Sequence, residues 1–177
     1  MTYCNSVLEF KRKAYLTGGV CDKYKELWDN AKTNKDLADM LMTIQGADFI
    51  CASVANKWGM SNDDLLLNLY DFANGNYTRR CKGYDTELYL SFDGKIVVKS
   101  TLYIVLNSED VEIYIPRYRA TNIYIAGCKN VRINCDGVAY IVNYGDCNIN
   151  VVRGNSDTVK ITDPSEIKDS WYFKKPL

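Results

Sequence analysis

Apolar residues follow two different periods along the chain. Between residues 21 and 72 they recur every three or four positions, as Tyr24 and Trp28 do, and this spacing predicts short helices with one apolar face. After residue 77 apolar and polar residues alternate, which predicts β-strands whose side chains point to opposite faces. The chain is therefore predicted to have an α+β fold, with a helical module over residues 1–77 and a β module over residues 78–177.

Capping residues predict where several of these helices begin and end. Asn34 is predicted to be the N-cap of one helix, because its side chain can accept a backbone N–H of the first turn. Ser61 is predicted to cap another, with Asp63 and Asp64 in the first turn, where the helix dipole favours negative charge. Gly46 is predicted to interrupt the helical run between them. Amphipathic helices of this length should pack on each other or on a sheet.

The β module contains an internal repeat. Its aliphatic positions follow one another at intervals of 8 to 10 residues at Ile113, Ile123, Ile133, Ile141, Val151 and Ile161. Several segments begin with a polar residue, namely Asp110, Asn122, Asn130 and Asn148. Two segments make a unit of roughly 20 residues, which is typical of a small β-solenoid whose coils bury their inner residues on one another. The shortness of the segments favours a β-solenoid-like module.

An antiparallel meander has similar spacing and is the alternative. Asp93 followed by Gly94 predicts a hairpin turn, because this dipeptide readily adopts the positive φ angles of tight turns. Asp136 followed by Gly137 could form another such turn. A meander would place consecutive strands side by side, whereas a solenoid would place them in different sheets.

Composition narrows the possible chemistry. Lys plus Arg and Asp plus Glu each total 22, so the chain has no net charge that would attract a nucleic acid or a membrane surface. The chain has no histidine, which excludes Ser-His-Asp and Cys-His sites and His-ligated metals. It also has no phosphate-binding or dinucleotide-binding motif, so no cofactor and no metal are predicted. The helices resemble a helix-turn-helix in outline but are slightly acidic, which argues against DNA binding.

The cysteines predict a reduced protein. There are seven, with no C-x-x-C pair, and the N-terminal residues have no apolar stretch typical of a secretion signal. No apolar run reaches the length of a membrane span, so the predicted location is the cytoplasm. Cys128 and Cys147 fall at predicted turns, but no histidine could assist them as nucleophiles, so neither is predicted to be catalytic. Cys135 is predicted to fill the interior.

Four tyrosines and Arg132 recur at positions predicted to face away from the aliphatic pairs, and Arg117 and Arg119 lie close to them in sequence. An aromatic and basic recognition face is therefore one interpretation, because these residue types dominate protein interfaces. The alternative is that the tyrosines merely favour strands or pack beneath the helical module. The candidate binding residues are Tyr103, Tyr114, Arg117, Arg119, Tyr124, Arg132 and Tyr140.

The C-terminal tail contains an aromatic triplet, Trp171, Tyr172 and Phe173. It is predicted to cap the last coil, because an uncovered coil would leave strand edges free to pair with another molecule. The alternative is an exposed interaction patch.

The segment "WDNAKTNKDLADMLMTIQGADFICASVANKWGMS" followed by the repeat "TNIYIAGCKNVRINCDGVAYIVNYGDCNINVV" resembles small uncharacterised proteins encoded by bacteriophages and mobile elements of gut bacteria. The resemblance concerns the general pattern over about residues 20–162 and transfers no functional residue. It implies a phage-type accessory protein, for which counter-defence against host immunity is a common function.

The predicted function is that of a non-catalytic binding protein in the bacterial host cell. Its most specific form is an inhibitor of a bacterial defence complex, such as an anti-CRISPR protein, that acts by steric occlusion. The predicted partner is a host protein or complex, and the protein could form a homo-oligomer. The alternatives are a histidine-free enzyme that uses carboxylates on a saccharide or nucleotide, and a component of the phage particle.

Overall fold

The computed structural model describes residues 3–14 and 21–167. The helices are α1 (Tyr3–Lys13), α2 (Asp22–Asn30), α3 (Asn34–Leu41), α4 (Ile44–Ala55) and α5 (Asn62–Leu69). The strands are β1 (Thr78–Cys81), β2 (Tyr84–Leu90), β3 (Gly94–Val97), β4 (Leu102–Leu106), β5 (Asp110–Ile115), β6 (Ala120–Ala126), β7 (Asn130–Cys135), β8 (Val138–Tyr144), β9 (Asn148–Arg153) and β10 (Val159–Thr162). Helices thus precede strands, as the α+β prediction requires.

The strands form a two-sided β-solenoid. Those from β2 onward alternate between a six-stranded sheet of order β1-β2-β4-β6-β8-β10 and a four-stranded sheet of order β3-β5-β7-β9. Each pairs in parallel with the equivalent strand of the next coil, whereas β1 pairs antiparallel with β2 at the edge of its sheet. Because consecutive strands belong to different sheets, the solenoid prediction is confirmed and the meander is wrong.

The predicted hairpin at Asp93 and Gly94 is wrong for the same reason. These residues turn the chain from β2 toward β3 in the opposite sheet. The Asp93 carboxylate accepts the backbone N–H groups of Glu109 at 2.8 Å and Asp110 at 3.0 Å, at the corner of the next coil. A side chain that satisfies two free backbone donors stabilises a corner of the solenoid as it would a helix N-terminus.

The interior of the solenoid is filled largely by the predicted aliphatic residues. Ile113, Ile123, Ile133 and Ile141 are completely buried in one apolar cluster between the two sheets. Val151 is half-buried against the same cluster. Ile161 is exposed although it pairs with the buried Ile141, because β10 is the edge strand of its sheet and no further described strand follows β9 in the facing sheet to cover it.

A second apolar core lies between the helices and the outer face of the six-stranded sheet. Leu102, Ile104 and Leu106 of β4 point out of the solenoid into this core. Helix α4, which carries the buried Phe49, contacts β4, β6 and β8. The helical part and the β part therefore bury each other along one continuous surface.

The helix ends follow the predicted capping chemistry with two corrections. Ser61 caps α5 as predicted, and it exchanges hydrogen bonds with Asp64 in a capping box. The N-cap of α3 is Thr33 rather than Asn34, because Asp36 completes a capping box with it. Gly46 does not interrupt a helix: it lies inside α4, where a Cβ atom would come within 2.4 Å of the Met40 carbonyl oxygen. Its small size permits the close approach of α3 and α4.

Two predictions concern features beyond this core. Among the described residues no single helix has the length and apolar character needed to cross a membrane, although α3 and α4 meet both criteria together across a bend of 100°.

The predicted aromatic cap at Trp171, Tyr172 and Phe173 lies outside the described residues. The last described residue, Ile167, packs against the core between helices and sheet.

A buried polar contact joins α4 to the solenoid. The Tyr144 hydroxyl on β8 donates a hydrogen bond of 2.5 Å to the Asp48 carboxylate. Burial, together with the nearby Cys51 thiol and Asp48 carboxylate, raises the pKa of Tyr144, so the phenol keeps the proton that it donates. Directional contacts of this kind in an apolar interface fix one docking position, because any displacement breaks them.

We expect Tyr144→Phe to lower the free energy of unfolding by about 1–3 kcal/mol, since it removes a donor from a buried carboxylate. Tyr140→Phe is the matched control, because Tyr140 lies on the same strand and is half exposed. Urea unfolding of both variants measures the difference. Equal stability of the two variants would show that the contact does not join the two parts.

Candidate functional site

The seven candidate binding residues do not share one surface. Tyr103 is completely buried inside the solenoid, and Tyr124 is 9% exposed beneath the helices. The others reach solvent at different places. Tyr140 lies on the outer face of β8, Tyr114 and Arg132 lie on the outer face of the four-stranded sheet, and Arg117 and Arg119 lie at the corner between β5 and β6. A single outer wall is impossible, because consecutive strands belong to opposite sheets and point their outer side chains in opposite directions.

Tyr103 and Tyr124 are covered for different reasons. On β4 both faces are apolar, and Leu102 and Ile104 face the helices, which turns Tyr103 inward. Tyr124 does point outward, but its ring stacks against Tyr144 beneath the helices, with ring centroids 6.1 Å apart. The alternative interpretation, that the tyrosines pack under the helical module, is therefore confirmed for Tyr124.

Tyr103 takes part in a buried network that the alternation pattern did not predict. Glu87 on β2 accepts hydrogen bonds from the hydroxyls of Ser100 at 2.6 Å, Tyr89 at 3.1 Å and Tyr103 at 3.3 Å. The Tyr103 oxygen in turn accepts the backbone N–H of Lys99 at 2.7 Å. A buried carboxylate with three hydroxyl donors is well satisfied, so Glu87 serves to close the first coil.

The outer face of the four-stranded sheet carries charges that pair with one another. Lys95, Glu112 and Arg132 stack in register on β3, β5 and β7. Lys95 forms an ion pair of 3.1 Å with Glu112, and Arg132 forms one of 3.3 Å with Asp110. Asn134 donates to Glu112 at 3.1 Å. Most polar side chains of this face therefore form ion pairs or hydrogen bonds with one another.

The corner between β5 and β6 brings together residues from three coils. We define the corner surface as Tyr114, Arg117, Tyr118, Arg119, Asp136 and Arg153. A shallow cleft of about 390 Å³ lies here, lined by residues 117–120 and 136–138. The Asp136 carboxylate accepts the Tyr114 hydroxyl at 3.1 Å and pairs with Arg153 at 2.8 Å, so neighbouring strands converge on it.

Tyr118 projects from this turn in an unfavourable backbone conformation. The Arg119 N–H donates to the Pro116 carbonyl at 3.1 Å, which places Tyr118 third in a β-turn, with φ of +66°. A type II turn requires positive φ at this position and favours glycine. Tyr118 is nevertheless 88% exposed, and the Arg117 guanidinium lies 5.0 Å from the centroid of its ring. A residue that is both strained in its backbone and exposed in its side chain is a candidate for a functional role.

Gly137 lies directly beneath this turn. A Cβ atom there would come within 2.3 Å of the Arg119 carbonyl oxygen and 2.6 Å of the Pro116 carbonyl oxygen. The turn therefore rests on the backbone of the next coil, which allows little movement. The interpretation of Asp136 and Gly137 as a hairpin turn is wrong, because β7 and β8 belong to different sheets.

Charge distinguishes the corner surface from the rest of the solenoid. It presents three arginines and one carboxylate and is therefore net positive, whereas the whole chain has no net formal charge. Both Arg117 and Arg119 are exposed. The corner surface is thus a basic, aromatic projection on a rigid support, suited to contact with a group that is negatively charged.

Cys128 is not an activated nucleophile beside Lys129. Cys128 is buried, and Lys129 pairs with Glu109 at 2.6 Å. A hydrogen bond with Cys147 and burial raise the pKa of Cys128. Cys135 is buried in the interior as predicted. Within residues 3–14 and 21–167, no cluster of three or more His, Cys, Asp or Glu side chains is arranged to hold a metal ion.

Sequence analysis found part of the corner surface. Arg117 and Arg119 were predicted to contribute to binding, whereas Tyr118 lies outside the alternating segments and was missed. The signal available was Pro116, which commonly opens or precedes a turn, followed by an aromatic residue between two arginines. Arg153 and Asp136 could not be assigned, because the stacking of coils brings them to the turn from distant positions.

We expect Tyr118→Gly to leave the free energy of unfolding within about 1 kcal/mol of the wild type, because relief of strain opposes the greater chain entropy of glycine. Gly137→Ala should destabilise by more than about 1 kcal/mol, because its methyl group would collide with two carbonyl oxygens. Chemical denaturation compares the two variants. A Tyr118→Gly loss as large as that of Gly137→Ala would show that the tyrosine serves stability.

Comparisons with known proteins identify no relative of the chain. No protein-family model, no curated protein and no solved structure matches it. The geometry of the corner surface, with its strained tyrosine between two arginines, is therefore the basis on which a function is proposed.

Proposed function

We propose that this protein is a non-catalytic binding protein that recognises an acidic surface of another protein through the corner surface. The observation that carries the proposal is Tyr118, which is 88% exposed at positive φ between two exposed arginines. Neither burial nor a favourable backbone conformation accounts for a tyrosine at this position. Contact of the Tyr118 ring with a binding partner would account for it.

The residue types of the corner surface support a protein partner. Tyrosine and arginine are the residues most enriched among those that dominate binding energy at protein interfaces. Tyrosine contributes a large rigid ring at low conformational cost, and arginine can form paired hydrogen bonds with a carboxylate. The Arg117 guanidinium beside the Tyr118 ring holds both groups in a shared arrangement before binding. Such preorganisation reduces the entropy lost on association.

The distribution of charge favours a protein over a nucleic acid. Nucleic-acid binding depends on a basic stripe that neutralises several phosphates. Here the positive charge is concentrated at one corner, and the adjoining sheet face contains Asp110 and Glu112, which pair with Arg132 and Lys95. Because these charges neutralise one another, the face does not extend the basic corner into a stripe that a phosphate backbone could follow.

Inhibition of a bacterial defence complex by steric occlusion is the most specific form of the proposal. It rests on the resemblance to proteins of bacteriophages and mobile elements, and it places the protein in the cytoplasm of a bacterial host. The rigid solenoid supports it physically, because a stiff body attached through one corner would exclude other molecules from the partner's surface. Inhibition, location and partner identity stay predictions.

Site-specific photo-crosslinking tests the proposal. A photoreactive residue at position 120, beside the corner, should capture a bacterial protein in cell lysate, whereas one at position 82, in the β1–β2 turn, should not. Mass spectrometry should locate the crosslink among Asp and Glu residues of the captured protein. We then expect the purified partner to bind more weakly as salt concentration rises, because exposed charges are screened.

Affinity measurements with the purified partner provide the matched control. Arg117→Glu with Arg119→Glu should weaken binding by about 100-fold or more, and Tyr118→Gly by about 30-fold, as for residues central to an interface. Arg80→Glu with Lys82→Glu makes the same change in charge on exposed residues of the β1 region and should leave affinity nearly unchanged. Equal loss in both double variants would contradict recognition through the corner, as would capture of nucleic acid alone at position 120.

A further inference from the structure

Two cysteines meet at the opposite corner of the solenoid, where β6 turns into β7 and β8 turns into β9. Cys128 and Cys147 are 5% and 7% exposed and belong to the interior cluster between the sheets. Their turns lie in consecutive coils, because the Asn148 N–H donates to the Lys129 carbonyl at 2.9 Å and Asn130 pairs with Asn148. The two turns therefore stack on one another, with Cys147 one residue out of register from Cys128 and both thiols turned into the interior.

The separation between coils suits a covalent bond between these thiols. Neighbouring strands lie about 4.8 Å apart and residues rise about 3.3 Å along a strand, so Cα atoms one residue out of register lie about 5.8 Å apart, within the roughly 4.4–6.8 Å that separates the Cα atoms of a disulfide. The Cys128 sulfur lies 3.6 Å from the Val105 and Ala126 carbonyl oxygens, which orients it within the interior. The remaining described cysteine thiols are free as well.

The two thiols also differ chemically. A hydrogen bond from Cys128 lowers the pKa of Cys147, whereas the same contact and burial raise that of Cys128. Cys147 is therefore the thiol of the two that loses its proton more readily. This asymmetry is the usual arrangement of a reactive thiol beside a resolving thiol.

We propose that Cys128 and Cys147 are a site of reversible oxidation, at which a peroxide converts the pair into a disulfide that joins two coils. This inference is independent of the corner surface and of the proposed function. It assigns a chemical role to two cysteines that the packing of the interior alone does not require, since valine or alanine would also fill an apolar interior.

The reaction balances with hydrogen peroxide as the oxidant. The Cys147 thiolate attacks one peroxide oxygen, the O–O bond breaks, and a sulfenic acid forms while hydroxide leaves. The Cys128 sulfur then attacks the sulfenic sulfur, the S–O bond breaks, and the S–S bond forms. The thiol proton goes to the departing oxygen, so two thiols and one peroxide give one disulfide and two water molecules.

Peptide mapping of the oxidised full-length protein tests the proposal. Trypsin should release residues 120–129, which contain Cys128, joined to residues 133–153, which contain Cys135 and Cys147. Cys135→Ser is the matched control and should retain the joined peptide, whereas Cys128→Ser and Cys147→Ser should each lose it. The oxidised protein should also unfold at a temperature higher by about 5 °C, because a crosslink constrains the unfolded chain. A reducing agent should reverse both changes.

Other products would overturn the proposal. Loss of the joined peptide in Cys135→Ser would assign the bond to Cys135. A link between residues 133–153 and residues 36–57, which contain Cys51, would assign it to the contact between α4 and the solenoid. Oxidation of Cys147 to a sulfinic acid without any link would show that Cys128 does not reach it.

Discussion

Strands β4, β6 and β8 carry apolar side chains on both faces, so their sheet is stable only when it is covered on both sides. The solenoid interior covers one face, and the helices cover the other. Complete burial of a leucine or isoleucine contributes about 1.5–3 kcal/mol, and Leu102, Ile104 and Leu106 all lie on the helix side. The apolar contact thus supplies the stability, and the hydrogen bond between Tyr144 and Asp48 fixes the position of the helices.

This arrangement determines which surfaces remain available for binding. Helix α4 covers Tyr124 and Tyr144, so most of the outer face of the six-stranded sheet is not accessible to a partner. The outer face of the four-stranded sheet is exposed, but its charged side chains pair with one another. The corner surface differs from both, because it projects a strained aromatic ring between arginines from a turn held firmly by Gly137. The faces of the sheets therefore stabilise the fold, whereas the corner surface is the part available for recognition.

The sequence was sufficient for the architecture because the architecture follows from periodicity. The change of period near residue 77 separates the last helical turn from β1, and the regular spacing of Ile113, Ile123 and Ile133 reflects the stacking of coils. Local patterns also identified Ser61 as a cap, since capping involves residues only three positions apart. Such features depend on neighbours along the chain.

Features that depend on contacts between distant residues could not be predicted in the same way. Tyr103 was placed on the wrong face because "LYIVL" is apolar on both faces, and the alternation does not indicate which set faces inward. The hairpin predicted at Asp93 and Gly94 failed because the Asp93 side chain caps the corner of the next coil, which is sixteen residues away. The corner surface likewise required the coils to be stacked before Asp136 and Arg153 came beside Tyr114.

The central claim is that helices and solenoid share one core and form one cooperative unit that supports the corner. Native-state hydrogen exchange tests it most directly, because it reports the free energy at which each segment opens. The account predicts that amides of α4, β4, β6 and β8 exchange only through one common unfolding step, with the same dependence on denaturant. Exchange of α4 at a lower free energy than the three strands would contradict it, since the helices would then detach while the solenoid remained folded.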